Sequence, residues 1–229
     1  FRCQVATVNI ESRQRQHQFG YCDNVHTPYH HGDLPNALRC AAAEVIAEKG
    51  LGNFSLREVA RRAGVSHAAP GHHFGDVRGL LTSLAIEGFE ALHGATSAAA
   101  AQHTDPAEKL IAMGTAYVNL ATQRPAHAQV MFRLDIVDQE NPELMAAGLR
   151  AYTALHDVVD EIIQSEQLTA DADDVTNLCW STMQGLVELL PRLDYLDQLL
   201  GHQQLTTSDR VRRFQNLILN GAREGARVD

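Results

Sequence analysis

The stretch Asn-Phe-Ser-Leu-Arg-Glu-Val-Ala-Arg-Arg-Ala-Gly-Val-Ser-His-Ala-Ala-Pro-Gly-His-His-Phe-Gly-Asp-Val-Arg-Gly-Leu-Leu, residues 53–81, decides the reading of this chain. Ser55 and Glu58 have the S-x-x-E spacing of a capping box, which predicts a helix opening at Leu56. Leu56, Val59, Ala60 and Ala63 recur at helical spacing as its buried stripe, leaving Arg57, Arg61 and Arg62 to other faces. Ala60 is small, as a residue crossed closely by a second helix must be. Gly64, four residues on, supplies the positive φ that reverses the chain. Val65 then plugs the space between the helices, and Ser66 stands where a cap for the second helix is needed.

The second helix presents His67, Ala68, Ala69, Gly71, His72 and His73. Small side chains let a helix sit deep in a groove, and alanine can touch a thymine methyl group. Phe74 anchors the helix in the core. Asp76 caps the next one, which opens with the pairs Leu80/Leu81 and Leu84/Ala85. Two short helices, a tight glycine turn and a small, polar second helix make a helix-turn-helix, the arrangement that lays one helix in the DNA major groove. An ordinary helical hairpin would share the A-x-x-x-G-V-S core. It would lack the capping box, the His-Phe pair and the Leu-Leu start around it.

With these residues in place the sequence resembles the TetR family of bacterial transcription regulators. The family's N-terminal domain follows F-[ST]-h-R-x-[IV]-A-x-x-A-G-V-S-x-x-x-[LP]-Y-x-H-F-x-x-K-x-x-L-L. Phe54, Ser55, Arg57, Val59, Ala60, Ala63, Gly64, Val65, Ser66, Pro70, His73, Phe74, Leu80 and Leu81 match it. Tyr29-His30-His31-Gly32-Asp33-Leu34 looks like the first-helix entry of one subgroup. Trp180 to Leu186 is similar to the same subgroup's W-x-x-x-H-G-L segment. The chain departs from the pattern at three positions. Gly71 stands for the usual tyrosine and Val77 for the usual lysine, both of which contact the DNA backbone in the family. Gln184 stands for the subgroup's histidine. Arg78 and His72 are adjacent to the two lost anchors and are candidates to replace them. Glycine within a short helix costs roughly 1 kcal/mol relative to alanine, which loosens the second helix before DNA arrives.

The resemblance implies an all-α protein: an N-terminal three-helix helix-turn-helix domain and a C-terminal helical domain for ligand binding and dimerisation. Residues 1–26 read as a polar, irregular arm whose Arg2, Arg13 and Arg15 could graze DNA, 27–82 as the DNA-binding domain, and 83–229 as the regulatory and dimerisation domain. DNA-contacting candidates are Ser55, Arg57, Ser66, His67, Ala68, Ala69, Gly71, His72, His73 and Arg78. Candidates for an apolar effector pocket are Phe89, Met113, Tyr117, Met131, Phe132, Trp180 and Met183, with His127 and Gln184 as polar handles. The expected partners are double-stranded operator DNA, a small apolar effector and a second copy of the chain. A ligand-binding or protein-interaction dimer with a weakened DNA head is the alternative.

Composition agrees with an all-helical reading. Hydrophobic residues make up 45% of the 229-residue chain and aromatics only 6%, which favours alanine- and leucine-rich helices over a sheet sandwich. No apolar run is long enough to span a membrane, and the N-terminus lacks a signal-peptide layout, so the expected location is the cytoplasm. The net charge of −9 seems unsuited to DNA until it is divided along the chain. Residues 1–82 hold nine Lys/Arg against seven Asp/Glu, and residues 83–229 hold ten against twenty-one. The acidic excess therefore lies outside the reading head.

Cys3, Cys22, Cys40 and Cys179 show no C-x-x-C spacing, and Cys40 and Cys179 fall on apolar helical stretches as buried thiols. The adjacent pairs His30/His31 and His72/His73 point to different sides of a helix and make poor chelators, so neither a metal nor any cofactor is expected. No nucleophile–base–acid set argues for an enzyme.

The first helix is predicted from Leu34, capped by Asp33 with Pro35 in its first turn, to Lys49 before Gly50. Six further helices are expected: from Asp76 to about Ala101, after Asp105-Pro106, after Pro125, from Asn141-Pro142 to about Gln167, from about Asp171 to Leu190, and from Ser208 to Asn220. The last two carry wide apolar faces: Val175, Leu178, Cys179, Met183, Leu186, Val187 and Leu190, then Val211, Phe214, Leu217 and Ile218. Faces this wide suit burial against a second subunit.

Overall fold

A computed structural model describes residues 33–225. Among these residues there are nine α-helices, one short 3₁₀ turn at Leu51–Asn53 and no strand. The helices are α1 (Leu34–Lys49), α2 (Leu56–Arg62), α3 (Ala69–Phe74), α4 (Val77–Ala100), α5 (Pro106–Gln123), α6 (Pro125–Met131), α7 (Pro142–Glu166), α8 (Ala172–Leu200) and α9 (Thr207–Gly225). The readings placed on residues 1–32, including the arm, its arginines, Cys3, Cys22 and the Tyr29–Gly32 entry, lie outside the described residues.

Side-chain caps fix most of the helix starts. Asp33, Asp76, Asp105, Asn141 and Asp171 each accept from backbone N–H groups in the first turn that follows. These donors have no partner within their own helix, so each cap satisfies a group that would otherwise be orphaned. Thr206 opens α9 by a two-way box: Asp209 N–H donates to Thr206 Oγ1, and the Asp209 carboxylate accepts from Thr206 N–H and Oγ1–H.

Three boundaries differ from the sequence expectation, one of them the end of α9, which runs on through Gly221 to Gly225 instead of stopping at Asn220. Helix α8 runs through Pro191 to Leu200 instead of stopping at Leu190. Proline removes one ladder bond there, yet Arg210 Nη2 from α9 holds the far half by donating to Asp194 (2.9 Å) and Asp197 (2.6 Å). Helix α3 begins at Ala69, not directly after Ser66. A helix capped by Ser66 would need an N–H at residue 70 to reach the Ser66 carbonyl, and Pro70 has none. The ladder starts instead with His72 N–H donating to the Ala68 carbonyl at 3.0 Å. Ser66, His67 and Ala68 thus lie ahead of the helix, and α3 has no side-chain cap.

Helix α4 joins two cores. Its Leu80 packs with Leu38, Ala42 and Val45 of α1 and Val59 of α2, closing the three-helix head. Its Leu81, Leu84 and Ala85 pack with Ile46 of α1, Ala126 and Val130 of α6, and Leu144 of α7. The boundary expected after residue 82 therefore falls inside one continuous helix. Beyond it, Met113, Val159, Ile162, Cys179 and Leu219 bring α5, α7, α8 and α9 into a third core. Leu84 is fully buried where head and body meet. Leu84→Ala should lower stability by about 2–5 kcal/mol, the range for a leucine truncated in a core that only partly collapses. Urea unfolding measures this, and a loss well under about 1 kcal/mol would contradict the shared-core packing.

Candidate nucleic-acid interface and effector cavity

Helix α2 ends in a Schellman turn. Gly64 has φ +68°, its N–H donates to the Arg61 carbonyl, and Val65 N–H donates to the Ala60 carbonyl at 3.0 Å. Ala60 is fully buried, as its place under the crossing requires. Beyond the turn His67, Ala68, His72 and His73 are exposed, Ala69 and Gly71 are half-buried, and Pro70 is buried. Ser55, Arg57 and Ser66 are exposed on the same helix-turn-helix. Phe74 packs on the head core, as expected. The end of α3 abuts the start of α4 so closely that a Cβ on Gly79 would lie 2.0 Å from the Phe74 carbonyl oxygen. Sequence reading gave Gly79 no role. Nothing in its local pattern signals this approach, which depends on how α3 meets α4.

The charges around the head are mostly paired. Ser55 accepts from Glu58 N–H as a capping box requires, but the Glu58 side chain does not return to the cap. It binds Lys49 Nζ at 2.8 Å and Arg61 through two bonds of 2.8 Å. Arg62 grips Glu48 through both Nη atoms, at 2.8 and 2.5 Å. Arg61 holds the Glu58 carboxyl well below the usual carboxylate range, with Lys49 adding to the effect, and Arg62 does the same for Glu48. Arg57 makes no ion pair among the described residues. Arg78, a candidate phosphate anchor, donates to the carbonyls of Val137 (3.2 Å) and Asp135 (3.3 Å) in the α6–α7 connection. Thr82 Oγ1 accepts from Asp138 N–H at 2.8 Å beside it. Arg78 thus clips the head to the body. Reaching a phosphate would mean breaking those bonds.

The body encloses an apolar cavity lined by six of the nine expected ligand residues: Phe89, Met113, Tyr117, Phe132, Trp180 and Met183. Its empty space, counting the open mouth, is about 600 Å³. Phe89 meets Phe132 edge-on with centroids 5.4 Å apart, Phe132 lies 5.3 Å from Trp180, and Tyr152 meets Trp180 at 6.3 Å, so one wall is a chain of rings. No lysine, arginine, histidine, aspartate or glutamate lines it. Tyr117 Oη–H donates to Gln184 Oε1, and burial pushes the Tyr117 phenol above its ordinary range, so it stays neutral. Gln184 acts by holding Tyr117 and does not line the cavity itself. Burial likewise pushes the Cys179 thiol up to about 12, leaving an inert neutral wall residue.

Thr96, Tyr152 and Gln215 also line this cavity without having been singled out in the sequence, and Cys179, expected as a buried thiol, lines it too. Gln215 is 1% exposed, and its Oε1 is buried with no hydrogen-bond partner. Such an orphan costs about 1–3 kcal/mol. A glutamine on the buried side of α9, between Val211 and Leu219, signals this only once α9 is known to back onto α5.

His127 and Met131 line a smaller neighbouring hollow that shares Leu92, Tyr117 and Phe132 with the main one. His127 Nε2 lies 3.5 Å from Glu87 Oε1, too long for a well-formed hydrogen bond, and Glu87 Oε2 accepts from Arg39 Nε at 3.0 Å. Burial pushes the Glu87 carboxyl up, but His127 and Arg39 outweigh it and the net shift is downward. A polar line therefore runs from the hollow through α4 to α1 of the head. On the outer face of α8 and α9 Leu178, Leu189, Leu196 and Leu217 are exposed, Leu217 by 69%. The wide apolar faces read from the sequence are thus split. Val175, Cys179, Met183, Leu186 and Val211 point inward, while this second stripe meets solvent.

Comparison with known proteins follows the same division. A family model described as bacterial regulatory proteins, tetR family, matches residues 38–84. One described as tetracyclin repressor-like, C-terminal domain, matches residues 110–198. No curated protein sequence matches the chain. Among solved structures, a protein of unknown function from Rhodococcus sp. RHA1 is 26% identical with a TM-score of 0.70, covering 86% of this chain and 98% of its own. The TetR family transcriptional regulator PfmR from Thermus thermophilus is 21% identical with a TM-score of 0.63, over 80% and 97% of the two chains. The fatty acid degradation regulator FadR from Bacillus halodurans is 20% identical with a TM-score of 0.64, over 84% and 97%.

The paired charges of α1 and α2 make the head acid-sensitive. Glu48 and Glu58 have folded-state pKa values below their ordinary 4.5. As pH falls below that value the unfolded chain takes up protons first, so their stabilisation is present above about 4.5 and is lost on further acidification. Urea midpoints at pH 7 and pH 4 should fall on acidification in the wild type and fall less in Arg62→Met. An equal fall in both would show that the Arg62 pairs are not responsible.

Proposed function

The chain belongs to the TetR family of bacterial transcription regulators, a DNA-binding class without enzymatic activity, and from that premise we propose a homodimeric repressor released from its operator by a small apolar effector. The observation that carries the reading is the α2–Gly64–α3 element, with its small and polar residues turned outward and its apolar residues held in the head core. His67, Ala68, Ala69, Gly71, His72 and His73 would face the bases. Ser55, Arg57 and Ser66 would face the phosphates. With Arg78 tied to the body and Val77 uncharged, the head has few phosphate contacts of its own, so affinity would come from two heads reading successive major grooves. The exposed leucines of α8 and α9 would pair across the two-fold axis in a four-helix contact.

Release would be a population shift. Phe89 and Thr96 on α4 border the cavity, and α4 carries Leu80 into the head. A ligand that fits best with α4 displaced would favour a dimer whose heads no longer match the groove spacing. No helix among the described residues is long and apolar enough to cross a membrane, which leaves DNA, effector and a second copy as the proposed partners.

Gel-shift titration against the DNA upstream of its own reading frame, at several salt concentrations, tests the repressor reading and should give a sequence-preferring complex. Its absence at low salt would point to the alternative, a ligand-binding dimer with a weakened head. Gly71 has open space where a Cβ would stand, and Val77 is exposed, so Gly71→Tyr with Val77→Lys should fold normally. The pair should tighten DNA binding and steepen the salt dependence by roughly two units of slope for the two lysines of a dimer. An unchanged slope would mean residue 77 does not reach a phosphate. Leu217→Arg should convert the dimer to monomer in light scattering, and an intact dimer would place the interface elsewhere.

A further inference from the structure

The cavity combines features that together define a ligand. Its wall is a run of contacting rings, Phe89, Phe132, Trp180 and Tyr152, and it has no charged lining residue. A charged ligand would lose its hydration there without an opposite charge to meet it. The polar groups that touch the space are mostly satisfied already: Tyr117 by Gln184 and Thr96 by the Leu92 carbonyl at 2.8 Å. Gln215 is different. It is 1% exposed, lines the cavity, and makes no side-chain hydrogen bond among the described residues, with Oε1 wholly enclosed. Space for it is built in from the facing helix. A Cβ on Gly114 of α5 would stand 2.5 Å from Gln215 Nε2 and 2.9 Å from Val211 Cγ1. Two positions far apart in sequence therefore combine to bring an unpartnered amide to an apolar chamber. Packing alone gives no reason for an amide there, since methionine would fill the same volume without a polar orphan.

We propose that Gln215 is the specificity-determining residue of the cavity and that the effector is a neutral aromatic hydrophobe carrying one hydroxyl group, a phenol in chemical class. The ring stacks on the aromatic wall, and the hydroxyl donates to Gln215 Oε1 or, with the amide turned over, accepts from Nε2. Either orientation of the amide is served by a hydroxyl, whereas a carboxylate could only accept and would bring a charge. This inference rests on reading the cavity as the effector site.

Trp180 is the sole tryptophan of the chain and lines the cavity, so its fluorescence reports occupancy directly. The full chain is titrated with 4-propylphenol, propylbenzene and 4-propylbenzoate, in the wild type and in the shape-conserving variant Gln215→Met. The wild type should bind the phenol at least tenfold more tightly than propylbenzene and the benzoate most weakly. Gln215→Met should lose that preference while binding propylbenzene as well as before. Equal wild-type affinities for phenol and propylbenzene, a preference that survives in Gln215→Met, or benzoate binding as tight as the phenol would each overturn the assignment to Gln215. The effector-site reading would survive those results. Failure of every probe to move the Trp180 signal would overturn both.

Discussion

The structure depends on one helix being shared by two cores. Leu80 of α4 faces into the head while Leu81 and Leu84 face into the body, so the 100° step between successive helical residues sends neighbouring leucines to different packing layers. An interior packed to crystal-like density transmits displacement instead of absorbing it. A shift of α4 that repacks one layer must therefore move the other. Arg78 and Thr82 reinforce the junction by bonding to the backbone of residues 135–138, and Arg39 adds a second tie through Glu87. Head and body have no flexible linker between them, and this is what gives a cavity in the body a mechanical route to a DNA-reading surface.

The head itself is economical in charge. Its arginines and its lysine are largely committed to internal partners: Arg61 and Lys49 to Glu58, Arg62 to Glu48, Arg78 to backbone carbonyls. Exposed pairs of this kind contribute little stability individually. Their larger effect is to take positive charge away from the surface available to phosphates. With glycine at 71 and valine at 77, the reading surface is left to small residues, histidines and Arg57. On the function proposed, such a surface would read bases better than it grips backbone, which makes dimerisation through the exposed α8–α9 leucines the main proposed source of affinity.

Much of this was legible in the sequence because it is written locally. Asp or Asn before proline marks a helix start, Gly64 marks a reversal, and helical periodicity in 34–46 and 56–63 marks the inward faces; each is a short-range rule, and each holds. Six of the cavity's lining residues were expected because the family resemblance implies a pocket, on which aromatic and Met side chains from separate helices can converge. What escaped depends on tertiary approach. Pro70 delays α3 by denying a bond a few residues after the turn, and Arg210 rescues α8 beyond Pro191 from another helix altogether. Gly79, Gly114 and Gln215 matter only through what lies opposite them: a Cβ added to Gly79 would stand 2.0 Å from the Phe74 carbonyl oxygen, and one added to Gly114 would stand 2.5 Å from Gln215 Nε2. Gln184 and His127, expected as polar handles of one pocket, stand outside the main cavity's lining, Gln184 holding Tyr117 and His127 lining the smaller hollow beside Glu87.

On the function proposed, occupancy of the cavity and engagement of DNA are opposed states of one α4-linked body. Linkage makes this measurable: a ligand that weakens DNA binding must itself bind more weakly to the DNA complex by the same factor. The most direct measurement follows Trp180 fluorescence and the anisotropy of a labelled operator in the same titration with a cavity ligand. Operator affinity should fall by at least about fivefold as the Trp180 signal saturates, with the reciprocal loss of ligand affinity on DNA. Saturation of Trp180 with no change in operator affinity would contradict this coupling.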